Sequence, residues 1–185
     1  MRGYLVAGLV ALGLLWPAEA RADLFLTPYA GVNFAGSTID KRTNLGASLT
    51  WLGSSGLGLE ADLGFIPDFF LPKDAALDVL GDNDVTTVMG NVVYGRRRGT
   101  WRPYVSAGCG LLRSQVGEFG ELFDTTDYAF GVNAGVGLRF GGGRFGLGSD
   151  VRYFRNLTAV DRAVMQDVLG DFAFWRATTG LVIRF

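Results

Sequence analysis

The sequence predicts an all-β protein, an eight-stranded antiparallel up-and-down β-barrel. Apolar residues alternate with small or polar residues along most of the chain, which is the pattern of strands with two different faces. Glycine is abundant, with 28 residues among 185, and so much glycine is unusual in a helical core. The connections between the alternating runs are long and short in turn. Eight runs can be distinguished, and a barrel of this kind closes with an even number of strands.

The clearest run extends from Tyr128 to Phe140, where apolar residues alternate with small or polar ones throughout. Runs of the same period predict strands at residues 24–34, 44–52, 57–65, 85–94, 102–112, 128–140, 145–154 and 173–185. In the fourth strand two alternating sets compete for the outer face. We choose the phase that keeps Asn91 inside and places Val88, Val92 and Tyr94 outside.

The connections predict which end of the barrel carries the loops. Long connections fall at 35–43, 66–84, 113–127 and 155–172, and short ones at 53–56, 95–101 and 141–144. This alternation predicts long extracellular loops and short periplasmic turns, with both ends of the chain on the periplasmic side. Two of the long loops have the pattern of short helices, at 74–80 and 158–169.

The N-terminal segment predicts export. Arg2 precedes an apolar stretch at 5–16, and Ala20-Arg21-Ala22 has the small residues that a signal peptidase requires. We therefore expect a cleaved signal peptide at 1–22 and a barrel domain at 23–185. The alternative, a membrane anchor, needs about 20 apolar residues to cross a bilayer of about 30 Å as a helix, and the stretch is shorter.

The charges decide which face of the barrel is inside, because a soluble, lipocalin-like barrel would have the same period with its apolar face inward. Arginine on a lipid-facing wall at mid-bilayer costs about 2–4 kcal/mol. The charged residues on the small face should therefore point into the lumen and form an ion-pair network. They are Glu60, Asp62, Arg139, Asp150, Arg152, Arg176 and Arg184.

Aromatic residues on the opposite face form two predicted girdles, as in barrels that span a membrane. The periplasmic girdle comprises Trp51, Tyr94, Phe140, Phe145 and Phe185. The outer girdle comprises Phe34, Phe65, Tyr128, Tyr153 and Trp175. A soluble barrel has no physical reason to carry two girdles, so the sequence predicts a transmembrane barrel in a bacterial outer membrane.

Several segments resemble a known family. They are Thr27-Pro28-Tyr29-Ala30-Gly31-Val32-Asn33-Phe34, the echo Arg102-Pro103-Tyr104-Val105-Ser106-Ala107-Gly108-Cys109-Gly110, the segment 133–139, and Val151-Arg152-Tyr153-Phe154. The chain resembles the small outer-membrane β-barrel superfamily that includes the OmpA transmembrane domain, the neisserial opacity proteins and eight-stranded porin-family proteins. The resemblance implies that the barrel-assembly machinery reads the last strand, 181–185, and Phe185 above all.

The sequence gives little support for an enzymatic function. Barrel enzymes of the outer membrane resemble one another in using a catalytic histidine, and this chain has none. Glu60 and Asp62 could act as an acid/base pair, but pairing with lumenal arginines is the better interpretation. We predict no catalytic residue, no cofactor and no metal site. The single cysteine, Cys109, is interpreted as a small apolar residue.

Two segments are interpreted as turns. Gly141-x-Gly143-x-x-Gly146 matches a dinucleotide fingerprint in form, but a strand follows it where a helix is required. The run Arg96-Arg97-Arg98 is interpreted as a solvated turn near anionic head groups. A formal net charge of −1 gives no excess of positive charge that would bind nucleic acid.

These observations favour a non-enzymatic surface barrel with a structural role, a lumen plugged by ion pairs, and loops that contact a host, an environmental ligand or lipopolysaccharide. The alternative is a narrow passive pore for ions or small solutes, in which the lumenal arginines bind an anion. The expected partners are outer-membrane lipid, lipopolysaccharide and, during biogenesis, the assembly machinery. We expect a monomer.

Deletion of Phe185 should reduce assembly into the membrane, because the resemblance implies that this aromatic end is the signal for insertion. The measurement is the amount of folded barrel in the outer-membrane fraction by immunoblot, with Phe145→Ala, another aromatic of the same predicted girdle, as the control. Unchanged barrel levels in the deletion variant would contradict the assignment.

Overall fold

The computed structural model describes residues 22–36, 41–67, 84–117, 124–157 and 173–185. The strands are β1 (Asp23–Gly36), β2 (Arg42–Leu52), β3 (Leu57–Ile66), β4 (Val85–Gly95), β5 (Trp101–Gly117), β6 (Asp124–Phe140), β7 (Phe145–Asn156) and β8 (Ala173–Arg184). Each predicted strand is confirmed. Within these ranges, no helix is long and apolar enough to cross a membrane.

The strands form one closed barrel in chain order. Every strand pairs antiparallel with its neighbour in the sequence, and β1 closes the barrel against β8 with Phe25 opposite Arg184 and Asn33 opposite Arg176. Closure leaves no free sheet edge, so the backbone donors and acceptors of the barrel wall are paired between strands. The predicted fold class is confirmed.

Burial separates the two faces as the period predicts. Along β3, the side chains of Leu59 and Leu63 are 58% and 55% exposed on the outer wall, whereas Glu60 and Asp62 are 3% and 1% exposed inside. The phase chosen for β4 is also correct, because Asn91 is buried and Val92 is exposed. The apolar face is therefore the outer one, which a soluble barrel would not present to water.

The connections differ in part from the prediction. The three short turns, 53–56, 96–100 and 141–144, define what we call the turn end of the barrel, and the opposite end is the loop end. At the loop end β5 and β6 continue through most of the predicted loop 113–127, with Ser114 paired to Asp127, and only 118–123 connects them. Strand pairing uses backbone groups, so it continues beyond the point where the apolar alternation stops.

β1 and β2 also extend beyond their predicted ends, so the connection between them is shortened to 37–41. The other two connections span 67–84 and 157–172. The predicted helical turns at 74–80 and 158–169 lie outside the described residues.

The lumen is packed in three layers. At the turn end lies an apolar layer of Phe25, Leu52, Val93, Tyr104 and Val182. At the loop end lies a second one of Ile66, Val85, Met89, Leu112, Phe154 and Phe174, with the last two rings stacked at 4.9 Å between centroids. Charged and polar side chains fill the space between, so the polar layer is enclosed by apolar material on both sides.

Two glycines make room for tyrosines whose hydroxyl groups reach the polar layer. Tyr29 lies opposite Gly46 in the β1–β2 register, and a Cβ on Gly46 would stand 2.4 Å from the Tyr29 hydroxyl. Tyr104 lies opposite Gly137 in the β5–β6 register, where a Cβ would stand 2.3 Å from Cζ of the ring. Each ring therefore lies across its partner glycine, and any larger residue there would displace it.

Substituting Gly137→Ala should destabilise the barrel by about 1–3 kcal/mol, because overpacking forces the Tyr104 ring out of place. Urea unfolding of the refolded protein in phospholipid vesicles, followed by tryptophan fluorescence, measures the loss. Gly90→Ala is the matched control, since a Cβ there meets only the Cys109 carbonyl oxygen at 3.9 Å. Equal stability of the two variants would show that the glycine contact does not constrain the ring.

Candidate functional site

The candidate site is the polar layer of the lumen, built around two carboxylates of β3. Glu60 and Asp62 are two residues apart on one strand, so both point inward at neighbouring depths. The Glu60 carboxylate accepts hydrogen bonds from Arg152 Nη1 at 2.6 Å, from Asn91 Nδ2 at 3.1 Å and from Thr50 Oγ1 at 2.9 Å. Its oxygens are thus occupied by donors from three other strands.

Arg152 of β7 joins the carboxylates across the barrel. Besides its bond to Glu60, its Nη2 donates to Asp150 Oδ2 at 2.8 Å, and its Nη1 lies 4.0 Å from Asp62 Oδ2. The side chain is 1% exposed. Because β3 and β7 are opposite strands of an eight-stranded barrel, this side chain spans the lumen.

The second carboxylate is held by Arg176 and a tyrosine. Arg176 Nη2 donates to Asp62 Oδ1 at 2.8 Å, and the Tyr29 hydroxyl lies 3.0 Å from Asp62 Oδ2. Arg176 Nη1 in turn donates to the Tyr29 hydroxyl oxygen at 3.0 Å. The guanidinium also lies 4.7 Å from the Phe154 ring centroid, which ties the polar layer to the apolar layer at the loop end.

Arg139 occupies the side of the polar layer that faces the turn end. Its guanidinium carbon lies 4.9 Å from the Phe25 ring centroid and 4.5 Å from that of Tyr104. Nη2 donates to Thr50 Oγ1 at 2.8 Å, while Glu60 Oε2 is more distant at 3.5 Å. Nη1 is buried without a hydrogen-bond partner. Ring contacts therefore hold Arg139 more closely than a carboxylate does, in contrast to Arg152, which is held by ion pairs.

Arg184, which we grouped with the lumenal charges, lies apart from them. It is the last residue of β8, and its Nε donates to Asp23 Oδ1 at 3.0 Å. Arg102 Nη2 donates to the other oxygen of Asp23 at 2.6 Å. These three residues form a second group at the turn end. The other six predicted residues, Glu60, Asp62, Arg139, Asp150, Arg152 and Arg176, lie together in the polar layer.

Sequence reasoning missed the two tyrosines that bond to carboxylates of the polar layer. Tyr29 bonds to Asp62, and the Tyr104 hydroxyl donates to Asp150 Oδ2 at 2.9 Å. Both follow a proline in the two echoed segments, and both are in phase with the inward face. The echo therefore held the signal, namely an inward tyrosine directly after a proline in both segments. Asp23 and Arg102, also missed, carry no comparable signal.

The structure places the girdle residues on the outer face, near the two ends of the barrel. At the turn end are Trp51, Tyr94, Phe140, Phe145 and Phe185, and at the loop end are Phe34, Phe65, Tyr153 and Trp175. The side chain of Tyr128 lies outside the described part. Trp101 was missed, and its ring packs against Phe140 with 4.6 Å between centroids.

The polar layer leaves little room for a ligand. The cavity between Tyr29, Tyr104, Arg139 and Asp150 has a volume of about 10 Å³, near the minimum for one water molecule. Across the described strands, no three acidic or cysteine residues are grouped as a metal site would require. Chemically, the arrangement can hold opposite charges together in the interior of the barrel.

Comparisons with known proteins agree with this architecture. The profile of the outer membrane protein beta-barrel domain matches residues 7–169. The neisserial surface protein NspA is similar in structure, with a TM-score of 0.65 at 15% identity, over 89% of this chain and 99% of that one. No curated protein matches the sequence.

Two further solved structures have the same fold. The N-terminal β-barrel domain of OprF from Pseudomonas aeruginosa has a TM-score of 0.56 at 15% identity, over 90% of this chain and 100% of that domain. Ail of Yersinia pestis, in complex with the heparin analogue sucrose octasulfate, has a TM-score of 0.59 at 13% identity, over 90% and 99% of the two chains. The family profile matches most of the sequence, and the structure is a closed eight-stranded barrel. This chain therefore belongs to the outer membrane protein β-barrel domain family.

Proposed function

We propose that this protein is a non-enzymatic barrel of the bacterial outer membrane with a structural and surface-contact role and a closed lumen. In this proposal the signal peptide 1–22 directs export and is removed, and residues 23–185 form the barrel. The turn end faces the periplasm, and the loop end faces the outside of the cell.

The observation that carries the closed lumen is the balance of charge in the polar layer. Three carboxylates, on Glu60, Asp62 and Asp150, meet the guanidinium groups of Arg139, Arg152 and Arg176. A fixed, neutral network offers a passing ion no net attraction, and an ion that enters must break charge-assisted hydrogen bonds. The apolar layers above and below add a barrier that consists mainly of hydrophobic side chains.

The absence of a catalytic role rests on the same contacts. The chain has no histidine, and the carboxylates of Glu60 and Asp62 are engaged by arginine, tyrosine, threonine and asparagine donors. A general acid or base needs access to substrate within hydrogen-bond distance. A cavity of about 10 Å³ beside the network gives no such access.

Contact with the surroundings is assigned to the connections at the loop end, 67–84 and 157–172. The sequence of loops at the ends of a rigid barrel can change without destabilising the barrel wall, and binding residues are therefore common in such loops. The structure of Ail with a heparin analogue shows a polyanion bound to another barrel of this fold. For this chain we propose lipopolysaccharide or a host or environmental ligand as the loop partner, and outer-membrane lipid around the wall.

The assembly role proposed for Phe185 is supported by its position. Its ring is 63% exposed on the outer face at the turn end, and its backbone N–H donates to the Leu24 carbonyl at 3.0 Å. The aromatic ring is therefore held beside the seam between β1 and β8, where the barrel closes. An assembly factor that closes this seam would meet the ring.

Purified wild-type protein in a planar lipid bilayer should show no steady ion current, because the three layers fill the lumen. A variant that truncates one or two residues in each layer, Phe25→Ala with Arg139→Ala, Arg176→Ala and Phe154→Ala, should conduct. Current through this variant would show that the assay detects ion flux through the barrel. Arg176→Ala alone should stay silent, since both apolar layers remain.

Steady single-channel current through the wild type would contradict the closed lumen and favour the alternative function, a narrow passive pore. Arg96→Ala is the control for altered surface charge, because Arg96 is an exposed residue of a turn. Gel mobility before and after heating establishes that each variant is folded.

A further inference from the structure

A second feature of the barrel, outside the polar layer, is an excess of positive charge at the turn end. The described residues there include Arg96, Arg97, Arg98, Arg102, Arg144 and Arg184, against a single side-chain carboxylate, that of Asp23. Asp23 pairs with Arg102 and Arg184. The positive charge is therefore concentrated at one end of a chain whose formal net charge is −1.

Five arginines surround one cavity of about 40 Å³ at this end. We call it the arginine cup, and its arginines are Arg97, Arg102, Arg139, Arg144 and Arg184. No carboxylate lines it in the described part of the chain. The volume suits a group of a few water-sized atoms, such as the oxygens of a phosphate.

One of the arginines that line the cup has an unmet hydrogen-bonding group. Arg139 is 6% exposed, lines the cup, and carries a buried Nη1 without a hydrogen-bond partner. Its ion-pair partner, Glu60, is 3.5 Å away and is bound more closely by Arg152 at 2.6 Å. A buried guanidinium in this situation is stabilised by an anion, since an unsatisfied charged donor is costly.

The outer wall of the cup reaches the membrane surface. Trp101, Phe140 and Phe145 line it, and their rings are 48%, 45% and 63% exposed on the outer face. Aromatic residues in this position lie at the level of lipid head groups. A lipid phosphate could therefore enter the cup while its acyl chains pass over these rings.

We propose that the arginine cup binds a phosphate group, supplied by the headgroup of an anionic phospholipid in the leaflet at the turn end or by free inorganic phosphate. Arginine recognises phosphate through paired, charge-assisted hydrogen bonds. Arg97 and Arg144 are exposed on two different turns and close over the anion, while Arg102, Arg139 and Arg184 form the fixed walls.

The test compares two double variants that remove the same charge. Arg97→Gln with Arg144→Gln takes two arginines from the cup, and Arg96→Gln with Arg98→Gln takes two exposed arginines that do not line it. The folded barrel is inserted into vesicles of phosphatidylcholine with an equal share of phosphatidylglycerol, and retained lipid is identified by native mass spectrometry. Binding of inorganic phosphate is measured by calorimetry in phosphatidylcholine nanodiscs.

The wild type and the Arg96/Arg98 variant should retain phosphatidylglycerol in preference to phosphatidylcholine, and the Arg97/Arg144 variant should lose about twenty-five-fold in that preference, roughly fivefold for each arginine. If phosphate binds and phosphatidylglycerol shows no preference, the ligand is free phosphate, and the same loss should appear by calorimetry. Equal losses in the two double variants, or no binding of either probe to the wild type, would overturn the proposal.

A third variant tests the cavity itself. A Cβ on Gly143 meets no atom within 4 Å, so Gly143→Glu should place a carboxylate in the cup without disturbing the wall. That variant should lose binding of both probes, while Gly143→Gln retains it. Full binding by Gly143→Glu would contradict the assignment of the site to the cup.

Discussion

The ion pairs that connect β3 to the opposite wall are the constraint on which the rest of this barrel depends. An eight-stranded barrel has an interior just wide enough for side chains to fill. Once Glu60 and Asp62 are placed inside it, far from water, each needs a donor of opposite charge within reach. Arg152 and Arg176 meet this need at 2.6 and 2.8 Å. The contacts tie strands together that share no backbone hydrogen bonds.

Other features of the interior follow from that network. The carboxylates of Asp62 and Asp150 have more acceptor capacity than the arginines fill, and Tyr29 and Tyr104 supply the additional donors. Those rings fit only because glycine stands opposite each of them, at 46 and 137. The apolar layers at the two ends then keep water from the ion pairs, which strengthens their attraction. At the turn end, beyond these layers, the arginines have fewer carboxylates and can accept an external anion.

The sequence predicted the strands and their faces because both depend on local rules. A period of two identifies a strand, and the cost of charge in lipid selects the inner face, so Glu60 and Asp62 were placed correctly from their neighbours alone. Which arginine meets which carboxylate is a different question. Glu60 and Arg152 are 92 residues apart, and their depths depend on the stagger of every strand between them. Arg184 has the same phase as Arg176 but lies at the rim, near Asp23, because it is at the last position of its strand. The extent of β5 and β6 was underestimated because polar residues continue to pair through the backbone.

The central claim, that opposite charges hold this barrel together across its lumen, is tested most directly by a double-mutant cycle on Glu60→Gln and Arg152→Gln. The quantity measured is the free energy of unfolding in urea from phospholipid vesicles. Each single variant removes the nearest charged partner of the other side chain, although Arg152 keeps Asp150 and Glu60 keeps Arg139, and should lose about 2–3 kcal/mol. The double variant should lose clearly less than the two together, with a coupling energy of about 1–3 kcal/mol. Losses that add to within about 0.5 kcal/mol would contradict the claim, because they would show that the two side chains stabilise the barrel independently.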